Sequence, residues 1–102
     1  MKKFVKVVSL ACASAMLLST TAFADGDAFK VGGIGPVTGG AAVYGQAVKN
    51  ATELAINEVN EDGGINGYQV EFQFEDDEND AEKSLNAYNA LKDWGMNILV
   101  GT

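Results

Sequence analysis

The chain is 102 residues long and carries 7 lysines and arginines against 14 aspartates and glutamates, a formal charge of −7, with one cysteine and no histidine. The missing histidine excludes a His-assisted triad, an imidazole metal site and a histidine proton shuttle. The acidic balance argues against nucleic-acid binding, which needs clustered Lys and Arg to displace counterions from phosphates, and the length allows one small domain at most.

In chain order, Lys2, Lys3 and Lys6 form a basic start, Val7 to Leu18 is an apolar run short for a membrane span, and Ala22-Phe23-Ala24 has the small-x-small pattern cut by signal peptidase; an N-terminal membrane anchor or a buried core helix is the alternative reading of this stretch. Residues 1–24 are therefore expected to be a secretory signal peptide, so the mature protein lies outside the cytoplasmic membrane, periplasmic or at the cell surface. A lipid anchor at Cys12 is the less favoured alternative. Ser9-Leu10-Ala11 lacks the usual leucine three positions upstream, and cleavage there would leave the apolar Ala15 to Leu18 exposed. The mature part, 25–102, keeps four lysines and all fourteen acids, a charge of −10, and no cysteine. An exported domain without disulfides depends on core burial, and a domain this small buries only about 60% of its unfolded surface.

Phe29 to Ile34 reads as a first strand, and Gly35-Pro36-Val37-Thr38-Gly39-Gly40 as a loop, since proline and glycine break both regular patterns. From Tyr44 to Asn60 the spacing predicts a helix with an apolar stripe of Val48, Ala51, Leu54, Ala55 and Val59, closed by Asp62-Gly63-Gly64. After the tight connection Ile65-Asn66-Gly67, Val70, Phe72 and Phe74 alternate with acids and glutamine as a strand buried mainly on one face. Asp76 to Asp80 is an acidic loop, with Asp80 a candidate N-cap for a helix over 81–93 whose stripe is Ala81, Leu85, Tyr88 and Leu91, ending at Trp94 and Gly95. Asn97 to Gly101 reads as a third strand whose unbroken apolar centre predicts burial on both faces.

Strands alternating with helices predict an α/β fold: a parallel βαβαβ sheet of order 2-1-3 with flanking helices on opposite faces. Ligands of such sheets bind beyond the carboxyl ends of the strands where the order reverses, here the loop after the first strand and the end of the third. That loop is not a nucleotide cradle. Thr38 stands where a dinucleotide fingerprint needs its third glycine, and Gly40 is followed by Ala41-Ala42 rather than Lys-Ser/Thr. The acidic run is not a calcium loop either: counted from Asp76, Ala81 occupies the place of the invariant glycine and Ala87 that of the bidentate glutamate. Ser84, the only serine of the mature part, lies midway along a predicted helix, and Asn50-Ala51-Thr52, a glycosylation sequon by pattern, lies within another. No catalytic constellation emerges.

Taken in order, Gly35-Pro36-Val37-Thr38-Gly39, Tyr44-Gly45, Ala55-Ile56-Asn57-Glu58-Val59-Asn60, Gly63-Gly64-Ile65-Asn66-Gly67, Glu75-Asp76-Asp77 and Ile98-Leu99-Val100-Gly101 closely resemble the N-terminal part of the branched-chain amino acid (Leu/Ile/Val) solute-binding proteins of ABC transporters, which have the type 1 periplasmic binding-protein fold. The resemblance runs over 29–102. It implies a non-enzymatic, two-lobed protein, monomeric at full length and needing no cofactor or metal. Such a protein closes on an amino acid and delivers it to a membrane permease. Residues 25–102 would be the incomplete N-terminal lobe, the start of a longer protein. In that family an aromatic residue after the first strand packs on the ligand side chain; Tyr44 matches it, with Thr38 and Gly39 as further ligand-binding candidates in the same loop. Without the family, Tyr44 reads equally well as an aromatic that caps a helix start. A ligand-sensing domain of a receptor or regulator with the same fold is the alternative function. A doubly wound enzyme would need catalytic residues that 25–102 does not hold.

Overall fold

The computed structural model describes residues 27–101, so the expected signal peptide with Cys12, and Asp25, Gly26 and Thr102, lie outside the described residues. Five elements follow in order: β1 (Phe29–Gly35), α1 (Ala42–Glu61), β2 (Val70–Asp76), α2 (Ala81–Trp94) and β3 (Ile98–Val100). The sheet is parallel with order β2-β1-β3; Phe29 pairs with Val70 through to Gly35 with Asp76 on one side, and Val31 with Ile98 on the other. This is the order expected from the sequence.

Side-chain alternation puts the helices on opposite faces. Val31, Gly33, Phe72 and Phe74 share the α1 face, where the two phenylalanine rings meet edge to face at 6.1 Å between centroids. Gly32 lies on the other face, under Leu91 of α2. Two of the three glycines of β1 are there because neighbours come close: an added Cβ would stand 2.9 Å from the Met96 sulfur at position 32 and 2.5 Å from the Phe74 ring at position 33.

Element ends follow local chemistry. Asp80 caps α2 by accepting from the Lys83 amide at 3.0 Å, and Gly95 closes that helix in the left-handed region at φ 94°. Beyond α1, Gly63 and Gly64 adopt φ of 101° and 80°, and the Ile65–Tyr68 bridge closes the turn into β2. The Asn60 side chain then takes both backbone groups of Val70, donating to its carbonyl and accepting from its amide at 2.8 Å each. Lys30 secures the other helix, its ammonium donating to the Trp94 carbonyl at 3.0 Å while lying 5.2 Å from the Trp94 ring centroid.

Three expectations are corrected. The face that α1 turns to the sheet runs through Gly45, Val48, Thr52, Ile56 and Val59, while Ala51, Leu54 and Ala55 are exposed, Leu54 at 61%. The rotation is set where Gly45 meets the backbone of Pro36: a Cβ at 45 would overlap the Pro36 carbonyl. Thr52 can turn inward because its hydroxyl donates to the Val48 carbonyl at 2.8 Å. On α2 the packed residues are Ala87 and Leu91, with Ser84 and Trp94 half-buried and Leu85 and Tyr88 exposed, one step around the helix from the expected stripe. The third strand is not buried on both faces: Ile98 and Leu99 are 50% and 43% exposed, since β3 pairs only with β1 and none of the described residues covers its outer side. Among the described residues the buried hydrophobic core is Val31, Val70, Ala87 and Leu91.

Candidate functional site

Parallel pairing brings the carboxyl ends of β1 and β2 together, Gly35 beside Asp76, and the loop 36–41 leaves from this point towards α1. The loop is held from two sides. From β2, one oxygen of the Asp76 carboxylate (Oδ1) accepts from the Val37 amide at 2.9 Å and the Glu78 amide at 3.0 Å, and the other (Oδ2) accepts from the Thr38 hydroxyl at 2.5 Å. From α1, the Gln46 side-chain amide donates to the Val37 carbonyl at 3.2 Å. Within the β2–α2 connection the Asp77 amide donates back to Gly35 O at 3.2 Å, tying the two loops together. Hydrogen bonds to a carboxylate favour its charged form. The Thr38 hydroxyl first, then the Val37 and Glu78 amides, hold the Asp76 carboxyl down at about 2, against an ordinary value of 3.8.

The sequence-predicted residues sit on this loop and just after it. Thr38 and Gly39 are exposed, Gly39 with φ 81° and open space around it, and Tyr44 projects from the first turn of α1 with its side chain 72% exposed. The Thr38 hydroxyl spends its proton on Asp76, so towards a ligand it offers acceptor lone pairs and no free donor. The start of α1 has Ala41 as N-cap, no capping side chain and no acid in the first turn, leaving the positive end of the helix dipole uncompensated beside the loop. α2, by contrast, is capped by Asp80 and has Glu82 in its first turn.

The sequence reading missed Asp76 and Gln46 as members of this site. Asp76 stood in an acidic run, and its role follows only once β2 is laid beside β1, which puts a carboxylate at the strand end next to the turn amides. The rest of the run is also engaged: Asp77 accepts from the Asn79 amide and the Ser84 hydroxyl at 2.9 and 2.8 Å, and Lys83 pairs with Glu78, which raises the lysine pKa. A shallow polar hollow lined by Asp27, Ala28, Lys30, Glu71, Gly95 and Asn97 lies at the opposite end of the strands, with the Lys30 ammonium already committed to Trp94.

Known proteins share this fold. Residues 28–102 match the model of a family described as "Periplasmic binding protein". The Leu/Ile/Val-binding protein homolog 3 of Brucella melitensis is 33% identical over 93 residues, covering 91% of this chain and 24% of the relative. The Leu/Ile/Val-binding protein BraC3 of Rhizobium johnstonii is 37% identical over 71 residues, 70% of this chain and 19% of that one. This chain thus spans about a fifth to a quarter of the length of these relatives. Among solved structures, the branched-chain amino acid transporter substrate binding protein LivJ from Streptococcus pneumoniae, in complex with isoleucine, superposes with a TM-score of 0.70 at 27% identity, over 74% of this chain and 22% of that one. An extracellular ligand-binding receptor from Verminephrobacter eiseniae shares the fold with a TM-score of 0.69 at 22% identity, over 72% of this chain and 21% of that one.

Proposed function

We propose, because the chain belongs to the periplasmic binding protein family, that its whole protein is the extracytoplasmic solute-binding component of an ABC importer and takes a branched-chain amino acid as ligand. The observation that carries this reading is the glycine-rich loop at the point where the strand order reverses, with Tyr44 projecting beside it and an uncapped helix start behind it. The similarity to Leu/Ile/Val-binding proteins over most of the described residues supports the choice of ligand. In this reading Tyr44 packs on the aliphatic side chain of the amino acid, while Thr38 and Gly39 bring acceptor atoms and close backbone to it.

Export follows from residues 1–24, removed as a signal peptide. A membrane permease receives the ligand, the binding protein acts as a monomer, and no reaction is catalysed. Capture comes from closure of two lobes, so residues 25–102 by themselves bind weakly or not at all.

The test is to read the frame beyond codon 102 and titrate its whole product with L-leucine, L-isoleucine and L-valine by calorimetry. A second α/β lobe with saturable binding of these amino acids supports the reading. A stop codon, a signalling domain, or a two-lobed product indifferent to all three overturns it.

A further inference from the structure

The tip of the loop, Thr38 to Gly40, has little packing to hold its shape: a Cβ added at Gly39 or Gly40 would meet nothing within 4 Å, and all three residues are exposed. Its conformation therefore rests on hydrogen bonds, and two of those at its base converge on one side chain of the neighbouring strand, the Asp76 carboxylate. Resting on the binding-protein reading above, we propose that Asp76 is a positioning residue for ligand capture: it fixes the loop 36–40 in its ligand-ready shape through the Val37 amide and the Thr38 hydroxyl, without touching the ligand itself.

The chemistry suits a strut. A carboxylate accepts on both oxygens at once, and hydrogen bonds to a charged acceptor are about twice as strong as neutral ones. Oδ1 is occupied by two backbone amides and Oδ2 by a hydroxyl. Asp76 also joins two loops that leave adjacent strands, because the Glu78 amide it accepts belongs to the β2–α2 connection. Releasing Asp76 frees both loops, and the fraction of molecules with a ready site falls; apparent affinity falls in proportion.

The experiment uses the whole protein and the variants Asp76→Ala, Asp76→Asn and Thr38→Val, with L-isoleucine as the probe and amide exchange of Val37 read without ligand. Asparagine keeps an oxygen for the Val37 and Glu78 amides, and its NH2 can donate to the Thr38 oxygen, so it can rebuild the strut without charge. Expected are about tenfold weaker isoleucine binding and at least tenfold faster Val37 exchange in Asp76→Ala, with less than about threefold change in both for Asp76→Asn. Adding Thr38→Val to Asp76→Ala should weaken binding by less than the product of the two single effects, because the Thr38–Asp76 bond is lost in both. Unchanged binding and exchange in Asp76→Ala overturns the proposal. So does an Asp76→Asn variant that loses binding as far as Asp76→Ala while its Val37 exchange stays slow, because that result separates binding from the strut. If Asp76→Ala fails to fold, Thr38→Val decides: faster Val37 exchange with weaker binding supports the strut, and neither change overturns it. A wild-type protein indifferent to isoleucine and leucine defeats the functional reading instead, and Val37 exchange then decides the strut alone.

Discussion

At the residue scale, one side chain and one missing side chain set the geometry around the loop. The Asp76 carboxyl is held at about 2 by its three donors, below its ordinary 3.8. A depressed folded pKa means that the stabilising effect is fully present above 3.8 and is lost as pH falls through about 2. The Val37 and Glu78 amide resonances, followed by NMR on lowering the pH, should therefore shift together with a midpoint near 2; a midpoint near 3.8 would mean the carboxylate is free. Gly45 supplies the missing side chain. Gly45→Ala pushes a methyl group into the Pro36 carbonyl and should cost about 1–3 kcal/mol in urea unfolding of the whole protein. Gly40→Ala, with open space around it, should stay within about 0.5 kcal/mol. Neither contact is legible in the sequence. A glycine beside Tyr44 reads as a weak helix residue until the backbone of Pro36 is found against it, and Asp76 reads as one acid in a run until β2 lies beside β1.

At the element scale, what could be read in advance was what the chain states locally. Asp80 as a cap, Gly95 and Gly63-Gly64 as stops, and the strand from Val70 to Phe74 each depend on a few adjacent residues and stand as expected, although Gln73 and Glu75 are half-buried like the phenylalanines rather than turned to water. Helix rotation does not. Both helices carry more apolar residues than one face needs, so periodicity alone allowed two stripes, and packing at Gly45 and Ala87 distinguishes the one adopted. Asp80→Ala removes the bond to the Lys83 amide and should destabilise by about 0.5–2 kcal/mol, read as a lower urea midpoint with unchanged slope. Asn60 acts at another boundary, where β2 is a sheet edge and its first residue would otherwise present an unpaired amide and carbonyl. Asn60→Leu leaves both groups to water and should cost about 1–2 kcal/mol. It should also make the edge more prone to pair with another strand, read as faster thioflavin-positive aggregation at equal concentration.

At the scale of the whole molecule, the described residues bury few large side chains. Val31, Val70, Ala87 and Leu91 form the core, while Val43, Leu54, Leu85, Ile98 and Leu99 stay in contact with water. The tension foreseen from size and the absence of disulfides is thus visible in the packing. Residues 25–102 expressed alone should melt without a sharp transition and bind an apolar dye such as ANS, whereas the whole protein should unfold cooperatively. A sharp calorimetric peak from 25–102 alone would contradict this. The expected strand order survives because the right-handed crossover rule is independent of core size. The burial expected of β3 did not, since an apolar strand is covered only where something lies over it.

The Lys30 contact gives these residues their own optical gauge. Trp94 is the one tryptophan among the 102 residues, half-buried at the end of α2 with a cation close to its indole face. Its emission colour and intensity report the seam between β1 and α2 without any added label. In residues 25–102 alone, a red shift with brightening would time the parting of that seam, and Lys30→Met would give the colour of an indole relieved of its neighbouring charge.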